Sequence, residues 1–93
     1  MNLRNKKINE GFKISFLKSR INDLNELSII PYSLEITDQS FQLCFRESIT
    51  AKQQYYIMDT KDLNRIFVYV HSVIQHLKLV NSIKQDQING NSD

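Results

Sequence analysis

The fold of this chain is decided by residues 32–46, which have the sequence YSLEITDQSFQLCFR. Two short stretches within it alternate apolar and polar side chains, and the polar residues 38–40 separate them. A period of two is typical of strands that cover one face and leave the other open, and a polar break is typical of a tight turn. The segment therefore predicts a β-hairpin. Its covered face carries Tyr32, Leu34, Ile36, Phe41, Leu43 and Phe45.

A third, shorter strand is predicted at residues 54–58. If Tyr55 and Ile57 join the covered face, the opposite face of the sheet is mostly polar. This open face would consist of Ser33, Glu35, Thr37, Gln42, Cys44, Arg46, Tyr56 and Met58.

An amphipathic helix of about 20 residues is predicted before the hairpin, because apolar residues recur there at spacings of three and four. These residues are Ile8, Phe12, Phe16, Leu17, Ile21, Leu24 and Leu27. Gly11 costs about 1 kcal/mol relative to alanine in a helix, so we expect the ordered helix to begin at Asn9 or later. Pro31 lies beyond its end, since the residue before a proline is biased toward extended geometry.

A second helix is predicted after the third strand. The sequence Asp59-Thr60-Lys61-Asp62 offers an acceptor side chain for the N-cap and an acidic residue three positions later. Residues 66–70 favour a strand by propensity, but the apolar periodicity continues without a breaker to about Ile83, which indicates a helix. Its apolar face comprises Leu63, Ile66, Phe67, Val70, Ile74 and Leu77.

Together these elements predict an α+β fold of order α-β-β-β-α. Two amphipathic helices pack on one face of a three-stranded antiparallel sheet. The predicted organisation is a single domain over residues 1–84, followed by a disordered polar tail over residues 85–93.

The composition excludes several classes of protein. With 2 glycines and 1 proline in 93 residues, the chain has no Gly-rich phosphate loop and no Pro-rich linker. Its single cysteine, Cys44, excludes a disulfide framework and Cys-based zinc clusters, and it favours a reducing compartment. The N-terminus is basic, but no apolar stretch of signal-peptide length follows it. We therefore expect a soluble, cytoplasmic protein that does not associate with membranes.

The net charge of +2 conceals an uneven distribution. Residues 1–20 carry six basic residues and one acidic residue, a net charge of +5, whereas residues 21–93 carry six basic and nine acidic residues, a net charge of −3. Clustered lysines and arginines add their fields within a Debye length. The first helix is therefore either a phosphate-binding segment or a solvated helix face.

The residues that could support catalysis or bind a metal form no motif. His71 and His76 are five positions apart, which on a helix turns them well over 100° from each other, so they do not form a two-ligand metal face. Cys44 alternates with core residues, and the sequence marks no base or oxyanion site for it. We expect no enzymatic activity, no cofactor, no metal and no small-molecule substrate. Cys44 is interpreted as a small residue of the sheet.

The surroundings of the open sheet face supply the strongest candidate ligand site. Phosphate binding needs positive donors, to which a helix N-terminus adds free N–H groups, and an aromatic side chain can stack on a base. The candidate nucleic-acid-binding residues are Arg46, Lys52, Tyr56, Lys61 and Arg65, assisted by Lys6, Lys7 and Lys13 of the first helix. Pairing of an exposed sheet with another subunit explains the same face equally well.

Residues 41–77 resemble the fourteen-kilodalton subunit of the eukaryotic signal recognition particle, a family with the same order of elements. The resemblance centres on MDTKDLNRI at residues 58–66, which is similar to the family's strand end, Ser/Thr cap, Lys-acid-aliphatic triplet and first buried residue of the final helix. It implies a heterodimer with a sister α-β-β-β-α subunit that binds the Alu part of the particle's RNA through a joint sheet. The resemblance would place Arg46, Lys52, Lys61 and Arg65 at phosphates. The family's long basic loop is reduced here to residues 38–40, and its Lys-rich tail is replaced by KQDQ at residues 84–87.

Two hypotheses follow. The first is a small, non-catalytic RNA-binding subunit of a ribonucleoprotein, similar to a signal recognition particle subunit and acting as a dimer or heterodimer. The second is a protein–protein interaction module, or a small inhibitor or adaptor, with no nucleic-acid role. In the second case a substitution on an apolar edge or on a helix face should abolish function, whereas Arg46→Ala and Lys52→Ala should not.

Overall fold

The computed structural model describes the backbone of residues 3–90 and the side chains of residues 10–84. It confirms the predicted α+β fold and the order of its elements. These are helix α1 (Leu3–Leu27), strands β1 (Tyr32–Ile36), β2 (Phe41–Phe45) and β3 (Tyr55–Thr60), and helix α2 (Leu63–Gly90). α2 extends beyond Ile83, where the apolar periodicity ends. The predicted domain boundary at residue 84 and the predicted disorder of residues 85–93 stay predictions.

The sheet is antiparallel with the order β1-β2-β3, so β2 lies in its centre. The predicted hairpin joins β1 to β2 with Asp38 and Gln39 at its tip, and the Thr37 N–H donates to the Ser40 carbonyl at 2.9 Å. The Thr37 hydroxyl oxygen also accepts from the Ser40 N–H at 2.9 Å. Thr37 and Ser40 thus hold the turn through both backbone and side-chain bonds.

A β-bulge in β3 corrects one part of the predicted open face. Leu43 pairs with Met58 and Cys44 pairs with Tyr56, so Ile57 is an extra residue in β3. An extra residue shifts the alternation of side chains by one position. Met58, predicted on the open face, instead packs against the core together with Ile57. The prediction for Met58 was therefore wrong, and that for Ile57 is confirmed.

The N-cap of α2 also differs from the prediction. Asp59 and Thr60 belong to β3, and the N-cap is Asp62, whose Oδ1 accepts from the Asn64 N–H at 3.0 Å. The Thr60 hydroxyl oxygen accepts from the Asp62 N–H at 3.0 Å and so positions this cap. The predicted cap with an acidic residue three positions later would be Asp59, but Asp59 and Thr60 are strand residues, with Thr60 buried opposite Phe41. The helix itself begins at Leu63, where the apolar periodicity begins.

Both helices contribute to one core on a single face of the sheet. The buried cluster takes residues from α1, from β2 and from α2, with Leu43 of the central strand fully buried beneath both helices. Its members are Leu17, Ile21, Leu24, Phe41, Leu43, Leu63, Ile66, Val70 and Ile74.

Asn25, near the end of α1, fixes the start of β1. Its Nδ2 donates to the Tyr32 carbonyl at 2.9 Å, and its Oδ1 accepts from the Tyr32 N–H at 2.8 Å. In the intervening loop, the Ser28 hydroxyl oxygen accepts from the Ile30 N–H at 3.0 Å. These bonds set the angle at which the chain leaves the helix and enters the sheet.

The helices are much longer than the sheet that they cover. α1 has 25 residues, or about 37 Å, whereas β1 has 5 residues, or about 17 Å. Phe12 and Phe16 are not in the core as predicted, but are 70% and 61% exposed. The expected start at Asn9 or later was also wrong, because α1 begins at Leu3 and runs through Gly11.

Candidate interaction surface

The predicted phosphate-binding residues lie at two opposite ends of the sheet. Arg46 directly follows β2, and Lys52 lies in the loop before β3. Lys61 lies in the turn between β3 and α2, and Arg65 lies in the first turn of α2, so both are beyond the other end of β3. The Phe45–Tyr55 and Phe41–Thr60 pairs mark these two ends, and they are about 14 Å apart at the usual rise of a strand. The backbone positions therefore divide the candidates into two pairs.

Acidic groups surround the pair at the start of α2. Lys61 lines a groove together with Glu10 and Asp38, and Asp62 is the cap of α2. Asp59 lies at the end of β3, where hydrogen bonds from Ser40 and then from Gln42 lower its pKa. Asp59 is therefore a carboxylate at neutral pH, and this end of the sheet is not a cationic surface.

The open face presents one exposed aromatic ring but few cations. Tyr56 is 64% exposed, and it lies opposite Cys44 on the same face. Cys44 is fully buried, with its Sγ 3.8 Å from the Gln42 carbonyl. Burial, and next the negative charge of Glu35, raise the pKa of the Cys44 thiol. Cys44 is thus a protonated packing residue of the sheet at neutral pH. It lies on the face that its alternation predicted, opposite Tyr56, but it is buried there and not exposed.

The remaining candidates belong to α1. Lys13 is exposed on this helix. Lys6 and Lys7 lie outside the residues whose side chains the structure describes.

The structure reveals a different surface, a groove between α1 and α2 that the sequence analysis did not single out. Phe16 of α1 stacks on Phe67 of α2 with ring centroids 5.6 Å apart and an interplanar angle of 29°. Next to Phe67, Val68 is 66% exposed. We call this the helix-pair groove. It is lined by Phe16, Phe67, Val68, Arg20, His71 and Ser72.

The apolar part of this surface extends beyond the groove. Phe12 lies one helical turn before Phe16 and is also exposed. On an α-helix, residues four apart are neighbours on one face. Single exposed apolar residues are common on proteins, but contiguous apolar patches mark interaction sites. Phe12, Phe16 and Val68 form such a patch around the half-buried ring of Phe67.

A signal for this surface was present in the sequence. Leu17, Ile21 and Leu24 alone make a narrow buried stripe on α1, and Phe16 lies about 100° from Leu17 around the helix. The predicted apolar face of α1 was therefore wider than the stripe of the helix that the core buries. What the sequence did not show is how far the sheet and α2 reach along α1.

Both helices that form the helix-pair groove carry exposed cations. On α1, Lys13 is exposed about one turn before Phe16, and the Arg20 Nη1 contacts the Asp23 Oδ2 at 3.0 Å. On α2, Arg65, Lys78 and Lys84 are exposed, and no acidic residue occurs between Asp62 and Asp86.

None of the protein-family models, curated proteins and solved structures that were compared with this chain matches it. The resemblance to the signal recognition particle subunit therefore stays a prediction. Over the described residues, no helix combines the length and apolar character needed to cross a membrane. Within the same part of the chain, His, Cys, Asp and Glu side chains form no group of three or more that could hold a metal ion.

Proposed function

We propose that this protein is a non-catalytic interaction module that binds a partner protein through the helix-pair groove. The observation that carries the proposal is the exposed aromatic contact between the helices, in which Phe16 is stacked on Phe67 yet remains 61% exposed. The sheet and the buried cluster hold both helices, so the two rings are presented on a rigid support.

The chemistry of the groove is that of a protein-binding surface. The centres of protein interfaces are enriched in aromatic residues and arginine, and a few such anchors provide most of the binding energy. Phe16 and Phe67 offer two anchors, and Arg20 lines the same groove. A partner that covers them would remove apolar surface from water, at about 25 cal/mol for each Å² buried.

RNA binding is the second candidate function, and the basic first helix supports it. The net charge of +5 over residues 1–20 is the observation that favours it, together with the exposure of Lys13 and Lys18 on α1. In this case the protein would be a cytoplasmic ribonucleoprotein subunit that acts as a dimer or heterodimer. The sheet is a weaker platform for RNA than the groove is for protein, because its candidate cations lie at two opposite ends. Arg46 and Lys52 are at one end, and Lys61 and Arg65 are at the other.

Copurification from the cells that produce this protein distinguishes the two functions. We expect the wild-type chain to retain a protein partner after ribonuclease treatment. The Phe16→Ala variant should lose that partner, because it removes one anchor of the groove. Ile49→Ala is the matched control, since Ile49 is 80% exposed in the loop before β3.

Two results would contradict a protein-binding role. One is a partner that Phe16→Ala and Ile49→Ala retain equally. The other is recovery of RNA alone, with an affinity that falls steeply as salt is raised, which is the signature of phosphate contacts. Circular dichroism of both variants checks that they fold.

A further inference from the structure

We propose that the helix-pair groove binds an acidic amphipathic helix of a partner protein. This inference rests on the proposed function and adds the chemistry of the partner. A shallow apolar groove between two helices fits a third helix, whose side chains at spacings of three and four enter it as anchors. The exposed rings of Phe12 and Phe16 lie one turn apart on α1. The anchors of a docked helix recur at the same distance, so successive anchors can contact the two rings.

The sign of the partner's charge follows from α2. Of the charged residues along its described part, Arg65, Lys78 and Lys84 are all basic and exposed. Arg65 lines a surface next to the groove together with Val68, Ser72 and Asp62. Asp62 caps α2, and on α1 Asp23 pairs with Arg20. Between residues 63 and 84, however, α2 carries three cations and no carboxylate. An incoming helix therefore meets an excess of positive charge along α2, and carboxylates beside its apolar side chains would complement it.

The same charges disfavour a second copy of this chain as the occupant. Placed with α2 against α2, it would bring Arg65 and Lys78 toward like charges. A single-stranded nucleic acid would meet the same cations and stack bases on exposed rings, so it is tested below by competition. The acidic amphipathic helix satisfies both the apolar floor and the basic side of the groove.

The test uses the full chain and two synthetic helical peptides as probes. Both peptides are about 18 residues long and carry leucine at spacings of three and four. One has glutamate at the flanking positions and the other has lysine. Binding is measured by fluorescence anisotropy of the labelled peptides. We expect the glutamate peptide to bind at least roughly tenfold more tightly than the lysine peptide. This difference should shrink as salt is raised from about 50 to about 500 mM.

Variants locate the binding on the surface. Phe16→Ala should weaken both peptides, whereas Ile49→Ala should weaken neither. Arg65→Glu should weaken the glutamate peptide about threefold or more and leave the lysine peptide unchanged or tighter. Lys52→Glu is its control, because Lys52 is an exposed cation in the loop before β3. Asn64→Glu provides a second route to the same charge test if Arg65→Glu folds poorly.

The outcomes separate this inference from the proposed function. Equal binding of both peptides, lost in Phe16→Ala, overturns the acidic partner and leaves the groove as an apolar interaction site. No binding of either peptide at about 200 µM also overturns the acidic helix, while the copurification experiment still decides the function. Sedimentation of the chain as a dimer that Phe16→Ala dissociates would assign the groove to a second copy instead. Competition of the glutamate peptide by single-stranded RNA at the same site would assign the groove to nucleic acid and overturn the inference.

Discussion

Replacing Asn25 by alanine should show how strongly the junction of α1 and β1 stabilises the fold. The Asn25 carboxamide donates to the Tyr32 carbonyl at 2.9 Å and accepts from the Tyr32 N–H at 2.8 Å. Each hydrogen bond contributes about 0.5–1.5 kcal/mol net, and backbone groups left without a partner cost more where water does not reach them. Alanine is a better helix former than asparagine by about 0.6 kcal/mol, and this gain offsets part of the loss. We therefore expect Asn25→Ala to lower the free energy of unfolding by about 1–2 kcal/mol.

Urea unfolding followed by circular dichroism measures this effect, and Asn22→Ala is the matched control. Asn22 is exposed on the same helix, so its replacement should give the propensity gain alone, a few tenths of a kcal/mol. An intermediate loss is expected for Asn25→Asp, which keeps an acceptor for the Tyr32 N–H but loses the donor to the Tyr32 carbonyl. If Asn25→Ala and Asn22→Ala have the same stability to within about 0.3 kcal/mol, the two bonds do not hold the junction and our reasoning fails.

Three further predictions concern helix propensity, the core and pH. Gly11→Ala should stabilise the protein by about 0.5–1 kcal/mol in urea unfolding, because a Cβ at Gly11 meets no atom within 4 Å; a loss of stability would contradict this. Ile66→Ala should destabilise it by about 2–5 kcal/mol, since Ile66 is fully buried in the central cluster, and a loss below about 1 kcal/mol would show that this cluster is not the core. Hydrogen bonds from Ser40 and then Gln42 lower the pKa of Asp59 in the folded state. Its stabilising effect should therefore be present above the ordinary aspartate pKa and be lost as the pH falls through the lowered value. Titration by NMR should show this pKa moving back up in Gln42→Ala, and an unchanged pKa would refute the role of Gln42.

The order of the elements was predictable because each has a strong local period. Alternation in residues 32–46 specifies the hairpin, and spacings of three and four specify the helices. The period also outweighed the β-propensity of residues 66–70, which lie within α2. Such patterns involve only residues that are close together in the chain, so a single sequence is enough to detect them.

The details that were missed depend on contacts between elements. The position of Met58 is set by pairing at both ends of β3, where Phe41 aligns with Thr60 and Phe45 with Tyr55, and an extra residue must bulge between them. The exposure of Phe16 depends on how narrow a stripe of α1 is covered, because Leu17 beside it is fully buried. Both effects are set by contacts between segments that are far apart in the chain.

The candidate site shows the same division. The prediction that Tyr56 lies on the open face of the sheet is confirmed, and its ring is exposed. The binding role of the cations stays a prediction. Their distribution was not predicted, because Arg46 and Lys61 follow opposite ends of the sheet. The helix-pair groove was missed since it requires Phe16 and Phe67 to meet across two helices.

The bonds of Asn25 also protect the molecule against uncontrolled strand addition. β1 is an edge strand of the sheet. The Pro31 carbonyl accepts from the Arg46 N–H, and the Thr37 N–H donates to the Ser40 carbonyl. Because the hydrogen-bonding residues of an antiparallel strand alternate, Tyr32, Leu34 and Ile36 direct their backbone groups away from β2. Edges of this kind are templates for aggregation. Asn25 already occupies both groups of Tyr32, so a foreign strand finds only the short remainder at Leu34 and Ile36. Loss of the Asn25 side chain should therefore speed up fibril formation by more than the lower stability of the fold alone explains.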